Sequence, residues 1–405
     1  MSVNLEIPKK LEAFIDQAHQ VAQHVFRPIS RKYDLAEHTY PVELDMLASV
    51  MDGLTDSGVT GGAGAQGLRS AKAESGEKKI RNGGSMATVL GFTELCWGDV
   101  GLSLTIPRQG LGNAAIAAVA NEEQLARFKG RWVAMAITEP NAGSDSANIN
   151  TTARLDGDHY VIDGEKIFIT AGERADAIVV WATLDKNLGR AAIKSFVVEK
   201  GTPGMELVRL DHKLGIRASD TATVRFANCR VPKENLLGSP EINVQRGFAG
   251  VMQTFDNTRP LVAAMAVGVA RAAIERTREL LAEAGINADY KKSFFHAKAA
   301  EAELYRLEAE LESARLLTLK AAWMADNGMP NSKEASMAKA KAGRVGNEIT
   351  LRCVELCAAA GYGQNELLEK WARDSKILDI FEGTQQIQLL IVARRLLGKN
   401  SEQLK

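Results

Sequence analysis

Cysteine is scarce in this sequence of 405 residues, which contains four: Cys96, Cys229, Cys353 and Cys357. They are too few and too scattered for a disulfide framework, and they lack the Cys-x-x-Cys spacing of a zinc site. Cys353 and Cys357 lie one helical turn apart, where a disulfide would be strained. We therefore expect buried thiols, a reducing compartment and no bound metal.

Net charge is also absent, because 50 Lys and Arg balance 50 Asp and Glu. Without a global field, the chain is not expected to bind nucleic acid or an anionic membrane. No apolar run approaches the ~20 residues that a membrane span needs. Residues 1–20 lack both the apolar core of a signal peptide and the arginine-rich composition of a transit peptide. These observations predict a cytoplasmic protein without a membrane span.

Aromatic residues make up only 6% of the chain, and alanine is abundant, which favours helices packed through small residues. Apolar residues recur at helical spacing over residues 8 to about 130, as in Met86-Val89-Leu90-Phe92. Beyond Trp132 the sequence changes to short segments that are typical of strands, such as His159-Tyr160-Val161-Ile162 and Ser195-Phe196-Val197-Val198. Near Val244 the helical period returns and continues to the end.

This order predicts a mostly α-helical protein with a central β domain. The expected domains are helical over residues 1–130, β over 131–240 and helical over 241–405. The glycine-rich stretch over 58–84 predicts a long loop, with either a lid or a flexible tether as its role. The chain has neither a βαβ repeat nor a Gly-x-Gly-x-x-Gly turn, which argues against a nicotinamide dehydrogenase.

Two segments of the β region are suited to a flat heterocycle. The loop Ile137-Thr138-Glu139-Pro140-Asn141-Ala142-Gly143-Ser144-Asp145 combines hydroxyls, a rigid proline and a flexible glycine, and can aim donors at a ring with many acceptors. The segment Gly164-Glu165-Lys166-Ile167-Phe168-Ile169-Thr170 is predicted to place Phe168 and Thr170 on one side of a strand. Stacking and a hydrogen bond from these two side chains would hold such a ring.

One carboxylate, Glu382, stands in the otherwise uncharged stretch Ile380-Phe381-Glu382-Gly383-Thr384-Gln385-Gln386-Ile387. With no cation adjacent in the sequence, desolvation would raise its pKa and make it a stronger proton acceptor. The alternative is that Glu382 merely starts a helix over 384–397, where an acid stabilises the positive end of the helix dipole. Residue types alone leave both interpretations open.

These segments resemble the acyl-CoA dehydrogenases, as do Phe255-Asp256-Asn257-Thr258-Arg259, Lys213-Leu214-Gly215-Ile216-Arg217 and Arg230-Val231-Pro232. The order and spacing agree over essentially the whole chain. The resemblance implies an N-terminal helical domain, a middle β barrel and a C-terminal four-helix bundle. It also implies FAD-dependent α,β-dehydrogenation of an acyl-CoA thioester to the trans-2-enoyl-CoA, within fatty acid β-oxidation and lipid metabolism.

By this resemblance, Glu382 is the base that removes the α-proton while the β-hydride passes to flavin N5. Its backbone N–H and a ribityl hydroxyl of FAD would bind the thioester carbonyl. Some members carry their base on an earlier helix, at a position that holds Thr258 here, and threonine cannot serve. The implied FAD-binding residues are Met135, Ile137, Thr138, Gly143, Ser144, Phe168, Ile169, Thr170, Thr384 and Gln386. The implied substrate-binding residues are Ser144, Asp256, Arg259, Phe381 and Gly383.

Two of these positions depart from the family pattern. Common members often have an aromatic residue where this chain has Met135, and tryptophan where it has Phe168. Both replacements keep an apolar or polarizable surface, so we expect altered flavin packing and not loss of the flavin.

The resemblance further implies an electron-transfer flavoprotein as acceptor and a dimer-of-dimers tetramer. In homotetrameric members a neighbouring subunit grips the FAD pyrophosphate and adenine, but the corresponding segments differ here. The segment Ala284-Gly285-Ile286-Asn287-Ala288-Asp289-Tyr290-Lys291 lacks arginine, and Lys298 replaces a glutamine. In Glu355-Leu356-Cys357-Ala358-Ala359-Ala360-Gly361, glutamate replaces glutamine and two alanines replace glycines. Glutamate repels a pyrophosphate and the methyl groups block its approach.

We therefore expect an α2β2 assembly in which a related subunit completes the cofactor site. Two alternatives remain open. One is a partly degenerate scaffold subunit. The other is a flavin acyl-CoA oxidase that uses O2, or a flavin monooxygenase of the same fold, although monooxygenases generally lack the base at Glu382.

Overall fold

The computed structural model describes residues 3, 5–48, 83–107, 111–242, 249–400 and 403, with backbone only for 249–257 and 294. Residues 58–82 of the predicted glycine-rich loop lie outside this range. The elements follow the predicted order of helices, strands and helices. The fold class is therefore confirmed, while the domain boundaries stay predictions.

The N-terminal helices are built around a close crossing. They are α1 (Lys9–Val21), a π-helical turn (Ala22–Phe26), α2 (Arg27–Leu35), α3 (Gly84–Gly98), α4 (Val100–Ser103), α5 (Leu111–Val119) and α6 (Glu122–Arg127). A Cβ at Gly98 would lie 2.8 Å from the Cβ of Ala22, so glycine lets the end of α3 touch the π-helical turn. The apolar period predicted over 86–92 lies in α3, where Met86, Val89, Leu90 and Phe92 are buried.

The central sheet curls around its own core. Its strands are β1 (Val133–Ala136), β2 (Thr152–Asp156), β3 (His159–Thr170), β4 (Ala177–Thr183), β5 (Ile193–Glu199), β6 (Met205–Leu210) and β7 (Thr221–Pro232). Their order is β1-β4-β2-β3-β7-β6, and β5 pairs with β4. The long antiparallel pair β3 and β7 is broken by irregularities at 162–164 and 166–169. The alternating segments predicted as strands are confirmed in β3, β4 and β5.

The C-terminal helices form the largest core. They are α7 (Ala249–Glu283), α8 (Ala299–Asp326), α9 (Ser332–Leu356), α10 (Ala358–Tyr362), α11 (Leu368–Ser375) and α12 (Gln385–Leu397). Alanines such as Ala263, Ala270 and Ala338 are fully buried and allow close helix packing. A Cβ at Gly268 would lie 2.3 Å from the carbonyl oxygen of Thr93, so α7 crosses α3 in direct backbone contact.

A buried ion cluster joins the N-terminal helices, the β domain and the C-terminal helices. Lys370 on α11 is 1% exposed, and its Nζ donates to Asp99 Oδ2 at 2.7 Å and to Asp374 Oδ2 at 2.5 Å. The other carboxylate oxygen of Asp374 accepts from the backbone N–H of Ile216 at 2.6 Å. A Cβ at Gly215 would lie 2.5 Å from the backbone carbonyl carbon of Arg373, so only glycine permits this contact. The Lys213 to Arg217 motif therefore anchors the β domain on α11.

The cysteines are free thiols, with Cys96, Cys229 and Cys353 buried and Cys357 half-buried. Burial raises the pKa of the Cys353 thiol to about 12, so it is protonated at neutral pH. The prediction of unpaired thiols is confirmed. Among the helices that the structure describes, none is both long and apolar enough to span a membrane.

Candidate active site

Glu382 lies in a strained loop between a 3₁₀ turn (Lys376–Asp379) and α12. Its φ is 55° and that of Gly383 is 88°, so two successive residues adopt the left-handed conformation. For a residue with a Cβ this conformation costs roughly 1–2 kcal/mol. The N-cap of α12 is Thr384, whose Oγ1 accepts from the backbone N–H of Ile387. Glu382 is therefore not the N-cap of α12, and its role, as a base or as an acid that favours the positive end of the helix, stays a prediction.

Gln388 holds this loop from the first turns of α12. It is fully buried, and its Nε2 donates to the carbonyl oxygens of Glu382 at 3.1 Å and Gly383 at 3.2 Å. A Cβ at Gly383 would lie 2.4 Å from this nitrogen. Glycine is therefore required at 383 both for its backbone conformation and for the contact with Gln388.

Glu382 as a whole residue is half-buried, and its carboxylate is surrounded by protein atoms. Its Oε2 accepts a hydrogen bond from the Thr258 hydroxyl at 2.8 Å. Burial is the largest influence and raises its pKa above the ordinary value for glutamate. The Thr258 hydrogen bond and the charges of Arg259 and Lys339 lower it again by less. The result is a desolvated, basic carboxylate held in one orientation.

Lys339 is a site residue that the sequence analysis missed. It lies on α9, is 1% exposed, and its Nζ donates to the carbonyl oxygen of Gly383 at 2.7 Å. Burial lowers its pKa to about 8, although the nearby Asp379 and Glu382 carboxylates act in the opposite direction. A signal existed in the sequence, because Lys339 shares the apolar face of α9 with Ala335 and Ala342.

We expect Lys339→Met to slow flavin reduction by an acyl-CoA about tenfold, the equivalent of one charge-assisted hydrogen bond. The loop carbonyl loses its donor, and the pKa of Glu382 rises because a neighbouring cation is gone. The acid limb of the rate against pH should therefore move to higher pH. Lys341→Met on the same helix, where the lysine pairs with Glu310 at the surface, is the control. A wild-type rate and profile would show that Lys339 does not position the loop.

Arg259 lies beside the base and not at the surface. It is 3% exposed, and its charge lowers the pKa of both Glu382 and Lys339. The side chain of Asp256 lies outside the part of the chain whose side chains are described. Phe381 is half-buried and packs against the core of the C-terminal helices. The assignment of these three residues to the substrate stays a prediction.

The structure joins the two segments that were predicted to hold a flat ring. The backbone N–H of Ile167 donates to the carbonyl oxygen of Thr138 at 2.9 Å. Lys166 is fully buried and donates to Glu139 Oε1 at 2.8 Å and to the carbonyl oxygen of Ile137 at 3.0 Å. The remaining carboxylate oxygen of Glu139 accepts from the backbone of Asn150. A buried ion pair therefore fixes the Thr138 loop against β3.

Phe168 presents a large apolar surface next to this junction. It has a φ of 59° at the irregularity in β3, and 63% of it is exposed. Thr138 and Thr170 are half-buried, while Ile169 between Phe168 and Thr170 is fully buried in the β core. The alternation of β3 shifts at this irregularity, because Lys166 and Ile169 are both buried although they lie three positions apart, and the prediction that Phe168 and Thr170 share one side of the strand stays a prediction. An exposed ring beside two threonines fits a flat heterocycle such as a flavin.

The other predicted flavin residues differ in exposure. Met135 and Ile137 are half-buried against an apolar cluster of the sheet, and Gly143 and Ser144 are exposed. A Cβ at Gly143 would meet no atom of the chain within 4 Å, so its packing within the chain does not require glycine. Thr384 is half-buried and Gln386 is exposed. Because the side chain of Ile169 is in the core, any contact it makes with FAD must come from its backbone.

The turn that takes the place of the family's trans cofactor segment contains a residue in a glycine-like conformation. Ala358 has a φ of 47°, a conformation that favours glycine. Glu355 forms an ion pair with Arg352, whose Nε also binds Glu303 at 2.9 Å. The arginine nearest to this turn is therefore already occupied by carboxylates.

Ala358→Gly should stabilise the protein by about 1 kcal/mol, because glycine adopts a positive φ without the Cβ penalty. Ala359→Gly is the matched control, since Ala359 is equally exposed and follows Ala358 in α10 but does not have a positive φ. There glycine should destabilise by about 1 kcal/mol. Thermal or denaturant unfolding measures both, and effects of the same sign would contradict the strain at Ala358.

Family models match the β region and the C-terminal helices of the chain. The family model of the acyl-CoA dehydrogenase middle domain matches residues 134–229, and that of the acyl-CoA dehydrogenase C-terminal domain matches 245–397. The short-chain specific acyl-CoA dehydrogenase of Clostridium acetobutylicum is 37% identical over 263 residues, which cover 65% of this chain and 68% of that protein. The mitochondrial short-chain specific enzyme of Bos taurus is 39% identical over 284 residues, covering 66% of each chain.

Solved structures resemble the chain over nearly its whole length. Butyryl-CoA dehydrogenase from Megasphaera elsdenii is 28% identical with a TM-score of 0.81, covering 98% of this chain and 100% of that one. A chain solved in work on the electron transferring flavoprotein of Acidaminococcus fermentans is 29% identical with a TM-score of 0.80 and the same coverage. The chain therefore belongs to the acyl-CoA dehydrogenase family, whose members are FAD-dependent oxidoreductases.

Proposed function

We propose that the chain catalyses α,β-dehydrogenation of an acyl-CoA thioester, with Glu382 as the base. The observation that carries this proposal is the Glu382 carboxylate, which burial makes more basic and Thr258 orients at 2.8 Å. The relatives support it, because several are named for short-chain acyl-CoA or butyryl-CoA dehydrogenation.

Each step assigns a definite task to the residues of the loop. Bound FAD supplies the acceptor for the hydride that leaves the β-carbon. Glu382 removes the α-proton, and its desolvation makes the carboxylate a stronger acceptor. The backbone N–H of Glu382 donates to the thioester carbonyl, where negative charge develops. Lys339 and Gln388 hold the two carbonyl groups of the loop, so this N–H stays in one direction.

The residues that would hold the flavin are Thr138, Phe168 and Thr170, with Met135 and Ile137 beside them. The hydrogen bond from Ile167 to Thr138 places their segments side by side. The Phe168 ring would stack and the two hydroxyls would bind ring acceptors. Removing the ring by Phe168→Ala should therefore increase the loss of flavin during gel filtration.

The pH dependence of flavin reduction tests the assignment of the base. Glu382 must be deprotonated to act, so the rate should rise with pH through its pKa, which lies above the ordinary value for glutamate. Thr258→Val removes a hydrogen bond that favours the ionised carboxylate of Glu382, so the rise of the rate with pH should move to higher pH. At a pH within this rise, the rate should be about tenfold lower than that of the wild type. Anaerobic stopped-flow reduction across pH measures both. An unchanged limb in Thr258→Val would contradict the contact.

The choice of acyl group is tested by anaerobic flavin reduction with straight, branched and steroid-derived acyl-CoA esters. Reduction by at least one class, with release of the enoyl-CoA, supports dehydrogenation. A purified complex that holds flavin but is reduced by none of them would favour a scaffold subunit.

We also propose that a related subunit completes the cofactor site in an α2β2 assembly with two FAD. The support is local: Glu355 replaces glutamine, Ala358 occupies a glycine conformation, and Arg352 is held by glutamates. The chain is to be expressed alone and with candidate relatives, and flavin counted per protomer. A homotetramer with one FAD in every protomer would overturn this proposal without affecting the assignment of Glu382.

The proposed electron acceptor is an electron-transfer flavoprotein. One solved structure similar to this chain comes from work on such a flavoprotein. After anaerobic reduction, the flavin should be reoxidised by the electron-transfer flavoprotein much faster than by O2. The reverse order would identify an acyl-CoA oxidase.

A further inference from the structure

A second cluster of chemically active side chains lies between the N-terminal helices and the sheet. Glu37 and His38 follow α2, and His212 lies in the segment between β6 and β7. The Nδ1 atom of His212 is 2.8 Å from Glu37 Oε2. The three side chains each offer one ligand atom, and these atoms all lie within 4.8 Å of one another. The sequence analysis missed them because Glu37 and His212 are 175 positions apart.

His38 is the member of this cluster that its surroundings explain least. Both of its ring nitrogens are buried, and neither has a hydrogen-bond partner in the part of the chain that the structure describes. Buried polar atoms that stay unpaired destabilise the folded state. The His38 ring lies 4.9 Å from the His212 ring, centroid to centroid. A buried nitrogen next to a histidine and a carboxylate is therefore available as a ligand.

We propose that Glu37, His38 and His212 form a binding site for a divalent transition-metal ion of the zinc class. Imidazole nitrogens and a carboxylate oxygen are a ligand set that proteins use for zinc, with a fourth position left to water. Metal–ligand bonds of about 2.0–2.2 Å place the ligand atoms of a tetrahedral site about 3.4 Å apart. Side-chain rotations that move the three ligand atoms by about 1 Å would therefore close the site. His212 is exposed and free to make this movement.

The charged side chains near the cluster do not occupy its ligand atoms. The backbone N–H of Lys213 donates to Glu37 Oε1 at 2.9 Å, which fixes the carboxylate while Oε2 faces His212. The ammonium of Lys213 is directed to the carbonyl oxygen of Ser219 at 2.8 Å. Arg174, the other cation nearby, lies 3.5 Å from Asp220. The contacts of the Lys213 ammonium and of Arg174 Nε are thus made outside the cluster, and the Lys213 N–H supports the ligand carboxylate.

The position of the site gives it a structural role. Two ligands come from the N-terminal helices and one from the β domain, three residues before Gly215, which contacts α11. A bound ion would tie these regions together at their junction. It would stabilise the folded chain by mass action, because the ligands are far apart in the unfolded chain.

The test uses the full chain without a histidine tag, dialysed against EDTA and then titrated with Zn²⁺ or Co²⁺. We expect one ion per chain by elemental analysis and a Co²⁺ absorption band of a low-coordinate nitrogen and oxygen site. Zn²⁺ at about 100 times its Kd should raise the Tm by about 3–5 °C. Failure of the wild-type chain to retain either ion at micromolar concentration would overturn the proposal.

Variants assign the binding to this cluster. His38→Ala and His212→Gln should each lose the bound ion and the Tm increase, while His159→Ala should keep both. His159 is a suitable control because it pairs with Pro232, at the end of β7 away from His212. If His38→Ala does not fold, the exposed His212 still provides the test. Equal metal binding by all three variants would place the ion elsewhere and refute the assignment.

Discussion

Glu382→Gln is expected to lower the rate of flavin reduction by an acyl-CoA about 10³-fold, with the flavin still bound. The amide keeps the shape of the side chain and can still accept the Thr258 hydrogen bond, but it cannot take a proton. General-base catalysis contributes about 10²–10⁴-fold in typical enzymes. Anaerobic stopped-flow spectroscopy of the flavin measures the rate directly.

Glu348→Gln is the matched control for this variant. It makes the same chemical change at an exposed residue that pairs with Arg306, and the rate of reduction should remain within twofold of wild type. A Glu382→Gln enzyme that reduces its flavin at the wild-type rate would exclude Glu382 as the base. Loss of flavin from Glu382→Gln would instead indicate a structural role for the loop.

Lys370→Met is expected to destabilise the protein by about 3–5 kcal/mol, the largest stability effect at a single position. Lys370 holds two buried carboxylates, Asp99 and Asp374, at 2.7 Å and 2.5 Å. Burial alone would lower the pKa of Lys370, but the two carboxylates outweigh burial and raise it. Burial also keeps the pKa of Asp374 above its ordinary value. Without the ammonium, both acids lose their counterion.

The destabilisation should depend on pH. Without Lys370, the pKa of Asp374 rises further in the folded state, so the folded chain holds a proton that the unfolded chain releases. Stability then falls as pH rises above the ordinary aspartate pKa of about 3.9, and the loss should be larger at pH 8 than at pH 5.5. Denaturant unfolding at the two pH values measures this difference.

Lys376→Met provides the comparison for the buried lysine. Lys376 is half-exposed and lies 3.7 Å from Asp379, a geometry in which ion pairs contribute roughly 0–1 kcal/mol. Adding Asp99→Asn to Lys370→Met should restore part of the lost stability, because one unpaired charge is removed. If both lysine variants are equally stable, the buried cluster does not hold the three regions together.

The resemblance predicted Glu382 as the base, since residue types alone left both interpretations open, and in the structure burial raises the pKa of its carboxyl group. The structure adds that Thr384, two residues later, is the N-cap of α12. Arg259 was predicted from the resemblance to bind the substrate, yet it is buried beside the base. The spacing of apolar residues places Arg259 on a helix, but it does not show which residues pack against the side of the helix that carries Arg259.

Lys339 shows how a site residue is missed even though it shares a helix face with buried alanines. A lysine among alanines on a helix is usually a solvated residue, and here it is buried only because α9 passes under the Gly383 loop. The metal-binding cluster has the same origin, since Glu37 and His212 meet only after the N-terminal helices pack on the sheet. Contacts between distant segments depend on packing and are not encoded in local periodicity.

By itself, the sequence determined the order of helices and strands, the absence of net charge and of disulfides, and the carboxylate that can act as a base. Local periodicity and residue chemistry are sufficient for these properties. Only the tertiary structure decided that Glu382 is desolvated, that Lys339 supports its loop, and that Lys370 joins three regions. Each of these depends on which distant atoms surround a charge, and burial sets both its pKa and its cost.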